Sequence, residues 1–328
     1  MKRKKVFFRA DASSQIGLGH LIRSLALAEM LGGEFDVSFV SKEIPQKSTL
    51  LLKELNFALL IIIDENTFLS QLTGNEIVVL DHYGLGANYQ RQVKEKGCKL
   101  VCIDDLHDKH FYADAIINHA PGVQPEQYDA EPYTKFYLGL EYALLRSEFR
   151  KQANNKRIIT NIDSVLVCFG GADPHNLTAK VLEVITGSDL FNKINIIAGA
   201  AFTHFDSLLQ LCAEKENVNC YSNLSAGEML EIMHSSDLAI VPSSSVAIEC
   251  MSAKMLLLTG ITDENQNDIH NGLIKYDTVK TIGDFNTLHD ETLLKQLKLI
   301  KERSKEIAFS NIGDAGNAIN DIFKSLSL

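Results

Sequence analysis

Side chains able to do chemistry near neutral pH gather at a few places in the chain. Asp11-Ala12-Ser13-Ser14-Gln15-Ile16-Gly17-Leu18-Gly19-His20 combines an acid, two glycines and an imidazole. Gly17 and Gly19 permit tight turns and close approach of a ligand to the backbone, and His20 can gain or lose a proton near neutral pH. A loop histidine can equally be a surface residue or a helix cap. Ile22 stands where a dinucleotide fingerprint needs its third glycine, so the pair gives little support for such a site. In Leu80-Asp81-His82-Tyr83-Gly84, Tyr83 could bond a substrate and Asp81 could orient an imidazole, or the segment is a polar turn after a strand. Asp104-Asp105-Leu106-His107-Asp108-Lys109-His110 is rich in metal-ligating types, but it lacks both HExxH and calcium-loop spacing. A solvated loop with local hydrogen bonds is the better reading there, and no metal site is expected.

Three further segments lie in the second half. Gly170 and Gly171 follow an apolar run and can turn backbone N–H groups toward a phosphate, or serve conformation alone. Ser243, Ser244 and Ser245 follow Leu238 to Val241 and precede a helical stretch. Hydroxyls at a helix amino end make a neutral anion cradle suited to a diphosphate, although capping alone uses the same residues. Glu249, one turn past Ser245, could accept hydrogen bonds from a ribose diol. Asn265 and Gln266 carry donors and acceptors for sugar hydroxyls or an acetamido group, or they belong to a loop that caps the next helix.

The elements that must position these residues follow from hydrophobic patterning. Strand-length apolar runs occur at VFFRAD, Phe35 to Val40, Ala58 to Ile63, Glu76 to Leu80, Lys99 to Ile103 and Ala115 to Ile117. A second series occupies Ser164 to Phe169, Ile194 to Ala198, Val218 to Tyr221, Leu238 to Val241 and Met255 to Thr259. Helices are expected at His20 to Leu31, Leu177 to Ile185, Ala226 to His234 and Val246 to Ala253, with an amphipathic stretch at LLKQLKLIKERSKEIAF. Such alternation predicts an α/β protein with two doubly wound parallel-sheet domains and a cleft between facing strand ends. The polar stretch Arg150 to Arg157 suggests a junction, giving domains 1–153 and 154–328, the last helices packing back on the first domain.

Length and charge agree with that organisation. At 328 residues the chain suits two domains of about 150 residues each. With 32 basic and 42 acidic residues the net charge is −10, which disfavours nucleic acid and anionic membrane as partners. No apolar run approaches the ~20 residues of a membrane span, and Arg9 and Asp11 interrupt any leader-like core, so a cytoplasmic location is expected. The cysteines Cys98, Cys102, Cys168, Cys212, Cys220 and Cys250 lie mostly in apolar runs without a CxxC pair and read as reduced core residues.

The motif from Phe8 to His20, Asp81-His82-Tyr83-Gly84, Asp104-Asp105, Gly139 to Phe149 with its Tyr142-Ala143-Leu144-Leu145-Arg146 element, Gly170-Gly171-Ala172-Asp173 and Asn265-Gln266 resemble one family over residues 6 to 270. That family is the pseudaminic acid pathway hydrolases, which remove UDP from a UDP-linked 2,4-diacetamido-2,4,6-trideoxy sugar and are related to GT-B glycosyltransferases. The resemblance implies two Rossmann-like domains of GT-B type and an inverting, metal-independent hydrolysis with no cofactor. It makes His20 the general base and Tyr83 a second catalytic residue that helps place sugar or water. Asp11, Gly17, Gly19, Arg146, Gly170, Gly171, Asn265 and Gln266 would be substrate-binding, Glu249 would hold the uridine ribose, and Ser243 to Ser245 would surround the diphosphate. Those serines depart from the Gly-Gly-Ser form of many relatives. Two alternatives stay open: a GT-B glycosyltransferase that passes the sugar to an acceptor, and a non-catalytic nucleotide-sugar-binding protein.

Overall fold

Runs such as Val6-Phe7-Phe8 and Ile77-Val78-Val79-Leu80 are apolar at consecutive positions, which suits a strand covered on both faces. The computed structural model places both runs in one parallel sheet and buries all seven residues. It describes every residue except 1–2, 14–16, 153–154, 200–201, 303–308, 310–311, 313 and 328. Ser14, Gln15 and Ile16 of the first motif and the expected junction at residues 153 and 154 therefore lie outside the described residues, as does part of the carboxyl-terminal amphipathic stretch.

Two compact units are present, Met1–Ser147 with Asp314–Leu328, and Glu148–Gly313. In the first, β1 (Lys5–Ala10), β2 (Asp36–Ser41), β3 (Ala58–Ile61), β4 (Ile77–Asp81) and β5 (Lys99–Ile103) precede the short β6 (His110–Phe111), then β7 (Ala115–Asn118), the short β8 (Asp129–Ala130) and β9 (Lys135–Leu138). The seven-stranded sheet runs β3-β2-β1-β4-β5-β7-β9, and β6 pairs with β8 apart from it. In the second, β10 (Ser164–Val167), β11 (Lys193–Ala198), β12 (Val218–Ser222), β13 (Leu238–Pro242), β14 (Leu256–Ile261) and β15 (Val279–Asp284) form a six-stranded sheet ordered β12-β11-β10-β13-β14-β15. All pairings in both sheets are parallel. Each order reverses once, between β1 and β4 and between β10 and β13, and loops leaving the carboxyl ends at such a reversal have room to hold a ligand.

The first helix, Gly19–Leu31, follows β1 and is buried on nearly every side. The amphipathic helix Gly316–Leu326 explains part of that burial, because it turns Ile319, Ile322 and Phe323 into the same core as Leu27, Ala28 and Leu31. Phe323 meets Phe35 edge-on at 6.0 Å, and Lys324 and Asn320 both bind Glu34. The strands β9 and β15 have no counterpart among the sequence expectations; β9 is only half-buried, and β15 carries only two large apolar residues and buries only Val279. Five of the six free cysteines are buried, and Cys220 is half-buried.

One close approach fixes the loop after β10. A Cβ on Gly199, just past β11, would lie 2.3 Å from the carbonyl oxygens of both Gly170 and Gly171. Backbone atoms cannot yield as a flexible side chain would. Gly199→Ala is therefore expected to lower stability by about 1–3 kcal/mol, read as a reduced urea midpoint with an unchanged m-value. An unchanged midpoint would show that the loop can shift freely.

Candidate functional site

His20 is the second residue of the helix Gly19–Leu31, and Asp81 closes β4, the strand next to β1 across the reversal. His20 Nδ1 and Asp81 Oδ1 are 2.6 Å apart, both residues buried. Arg23, one turn after His20, forks onto the same carboxylate through Nε at 2.7 Å and Nη2 at 2.6 Å, and its Nη1 donates to Asp105 Oδ2 at 2.7 Å. Burial disfavours the ionised Asp81, but Arg23 and then His20 outweigh it and hold the carboxyl well below the usual carboxylate range. An ionised Asp81 can only accept, so Nδ1 carries the proton and the imidazole lone pair lies on Nε2. The 3.1 Å approach of Arg23 Nη2 to Nδ1 is then two donors converging on one oxygen.

Tyr83 lies over this pair, its ring edge-on to His20 at 4.4 Å between centroids. Its hydroxyl donates to Asp105 Oδ2 at 2.9 Å while the side chain stays partly exposed. Two carboxylates and one guanidinium leave the cluster with a surplus negative charge, which an imidazolium formed at His20 would neutralise. That arrangement favours a base that becomes charged during reaction.

Asp11, at the end of β1, is engaged by protein groups on every side. Arg9 binds it with two hydrogen bonds of 2.7 and 2.8 Å, Lys42 N–H donates at 2.7 Å, and His82 Nε2 lies 3.2 Å away. Burial opposes its charge, but His82 and Arg9 keep the carboxyl well below its ordinary value. His82 Nδ1 accepts the Gly84 N–H at 2.9 Å, so this imidazole braces the turn that carries Tyr83. Gly17, at φ +81°, donates its N–H to the Ser13 carbonyl at 2.8 Å, and Gly19 opens the helix. Arg146 is half-buried after the short helical turn Leu140–Tyr142. The Asp104 to His110 residues disperse: Asp104 caps its own turn, Asp105 joins Arg23, Asp108 pairs with Lys109, and His110 binds Asp129 and Glu131. Among the described residues no group of three or more His, Cys, Asp or Glu is placed to hold a metal ion.

In the second unit the expected residues lie on loops after β10, β13 and β14, which are neighbours in the sheet. Gly170 takes φ +79°, and the following Asp173 accepts the N–H groups of Leu177 and Thr178 at the start of the helix Leu177–Thr186. Phe169, Asp173, His175, Thr262, Asn265 and Gln266 line one concavity of about 180 Å³, so residues on either side of the Gly170-Gly171 turn meet the Asn265-Gln266 loop there, while the two glycines themselves are not among its lining residues. Gln266 closes its own loop, accepting from Thr262 N and donating to Thr262 Oγ1, both at 2.9 Å. Ser243 is fully buried, while Ser244 and Ser245 are half-buried at the head of the helix Ser245–Ser252, which buries Glu249 one turn on. The Ser244 hydroxyl makes no cap.

Sequence reasoning missed Arg23, which sits inside an otherwise apolar helical pattern, and His119, which follows β7 and is buried close to Arg23, Asp105 and Asp81. The readings of His20, Asp81 and Tyr83 pointed toward this cluster, Asp81 as an acid able to orient an imidazole.

No protein-family model matches the chain. The chain is 26% identical to an uncharacterized protein of Methanocaldococcus jannaschii, over 83% of this chain and 58% of that one, and so spans little more than half of that relative. It is 27% identical to the UDP-2,4-diacetamido-2,4,6-trideoxy-beta-L-altropyranose hydrolase of Campylobacter jejuni, over 76% of this chain and 89% of that one. With the spore coat polysaccharide biosynthesis protein SpsG of Bacillus subtilis it shares 24% identity over 89% of this chain and 87% of that one. Similar solved structures include MurG of Acinetobacter baumannii, with a TM-score of 0.64, 14% identity and 99% of each chain covered. Another is the Anabaena protein HepE in complex with UDP, with a TM-score of 0.60, 13% identity and again 99% of each chain covered. The fold is thus α/β with two Rossmann-like doubly wound domains of GT-B type. No helix among the described residues is long and apolar enough to cross a membrane.

The buried imidazole gives the cluster a pH signature. Burial, helped by Arg23, pushes His119 down to about 4 from 6.5. In the unfolded chain it binds a proton below pH 6.5, in the folded protein only near pH 4. Stability should therefore be level above pH 6.5 and fall between pH 6.5 and 4, by up to about 3 kcal/mol from this residue. Below that, protonation of Asp81 removes a further share, since its depressed value stabilises the fold only while it is ionised. Urea unfolding across pH should show a shallower decline for His119→Leu; an identical slope would discount the residue.

Proposed function

We propose that the protein hydrolyses the glycosyl bond of a UDP-linked amino sugar to give the free sugar and UDP. The observation that carries this reading is the His20–Asp81 pair, with the Nδ1 proton directed to a buried carboxylate and the basic lone pair on Nε2. The Campylobacter relative's name supports the substrate class, and a 2,4-diacetamido-2,4,6-trideoxyhexose destined for pseudaminic acid is the sugar proposed.

In the proposed reaction His20 Nε2 takes a proton from water as the water oxygen bonds to the anomeric carbon. The bond from that carbon to the β-phosphate oxygen breaks with its electron pair, and UDP departs with inversion. Asp81 stabilises the imidazolium, and Tyr83, fixed by Asp105, places the sugar or the water. The second unit holds the nucleotide: Ser244 and Ser245 with the helix amino end meet the diphosphate, and Glu249 accepts from the ribose. Gly170, Gly171, Asn265 and Gln266 are proposed to face the sugar-phosphate portion, since Asn265 and Gln266 line a pocket together with Phe169 and Asp173, which flank the glycine turn. Arg146, Asp11, Gly17 and Gly19 complete the proposed substrate-binding set, Asp11 through the turn it anchors. UDP is already a good leaving group, so helix amides suffice to stabilise its charge and the reaction is proposed to need no metal.

His20→Ala should lower kcat by about 10²- to 10⁴-fold while UDP affinity stays within a few fold; wild-type turnover would remove His20 from the role of base. Glu249→Ala should weaken UDP binding by about tenfold or more in calorimetry, and an unchanged affinity would reject the ribose contact. Turnover should survive EDTA. The structural neighbours include MurG, and a transferase reading is separated by acceptor dependence: sugar released into water without any acceptor supports hydrolysis. UDP binding without turnover on a panel of UDP-amino sugars would instead support a binding protein.

A further inference from the structure

We propose that His270 is a positioning residue for the Ser243–Ser245 turn, an assignment that rests on that turn holding the diphosphate of UDP. It stands on a chain of hydrogen bonds that ties together β13, β14, β15 and the helix Asn267–Leu273. Thr259 Oγ1 donates to Val241 O at 2.9 Å, so it accepts from Ser243 Oγ, also at 2.9 Å. Ser243, its proton committed, must accept from His270 Nδ1 at 2.9 Å. The imidazole then carries its proton on Nδ1 and accepts at Nε2 from the Thr281 hydroxyl, 3.1 Å away, while Thr281 Oγ1 accepts the Gly283 N–H at 2.9 Å. Every hydroxyl in the chain donates once and accepts once, so the direction of each proton is determined. Burial lowers the His270 imidazole below its ordinary value, which keeps it in the neutral form the chain requires.

Ser243 is fully buried, as is Thr259. Its hydroxyl therefore acts inward, as the anchor through which His270 fixes the turn, and Ser244 and Ser245 are left to face the ligand. The Ser243 N–H is tied as well, to Gly260 O at 2.8 Å, and Ser244 N–H turns back to Pro242 O at 2.8 Å. Without the imidazole the buried Ser243 oxygen loses its donor, and the turn can rotate away from the geometry that points the helix N–H groups at an anion.

The test is UDP calorimetry together with steady-state kinetics on His270→Leu, His270→Asn and Thr281→Val. His270→Leu should raise the UDP Kd and the KM by about tenfold, the scale of one buried hydrogen bond, with a much smaller effect on kcat. The Asn amide can replace Nδ1 as donor, so His270→Asn should restore Kd to within about twofold of wild type. A general loss of structure would not be repaired in this way. Thr281 is exposed, so Thr281→Val keeps the test open if His270→Leu fails to fold, and it should weaken UDP about threefold by freeing the tautomer. Equal Kd for wild type and His270→Leu, an Asn variant as weak as the Leu variant, or an unaffected Thr281→Val would each overturn the assignment. If wild type itself fails to bind UDP, the nucleotide reading falls and the assignment with it; UDP binding that ignores these substitutions refutes the positioning role alone.

Discussion

A buried guanidinium must be met by charge and by hydrogen bonds, and in the first unit that requirement falls on Arg23. Asp81 meets two of its nitrogens and Asp105 a third. Because Arg23 rides on the first helix, Asp81 ends β4 and Asp105 follows β5, satisfying one cation fixes three elements relative to one another. His20 inherits its tautomer from that solution, and Tyr83 its orientation. Loss of either carboxylate would leave an under-compensated buried charge and would disturb both the fold and the reactive geometry.

The two units solve a similar topological problem with different chemistry. Each sheet reverses its order beside its first strand, and each carries its candidate site loops after the strands there. In the first unit those positions hold ionised groups, Arg9 with Asp11 and Arg23 with Asp81. In the second they hold glycines, hydroxyls, amides and a neutral imidazole, with Glu249 set one turn deeper. For a chain of net charge −10 this matters, since long-range attraction would not draw in an anionic ligand and the proposed diphosphate contacts would rest on local backbone dipoles and hydroxyls.

Most of the strands were legible because parallel strands covered on both faces must be apolar at consecutive positions, as in Val165-Leu166-Val167 and Leu238-Ala239-Ile240-Val241. The half-buried β9 and the largely polar β15 lack that signature. Among the site residues, Asp81 and Tyr83 were legible because they follow a buried run directly. Arg23 was hidden in a helical pattern whose apolar neighbours suggest an ordinary core face. Spacing alone could not show that Ser243 turns inward while Ser244 and Ser245 remain half-buried, since the three are identical in type and only the bonds to Thr259 and His270 distinguish the first. Gly199 carries no local signal either, because the backbone it must admit lies some thirty residues earlier in the chain.

The helix Gly316–Leu326 has a consequence for how the molecule is made. It lines the first unit's core beneath the helix that carries His20, yet a ribosome delivers the whole second unit before it. Nascent residues 1–147 must wait, with Leu27, Ala28 and Leu31 lacking part of their cover, while Glu148–Gly313 has all its own strands available. The order of synthesis is thus opposed to the order of completion: the unit made first is finished last.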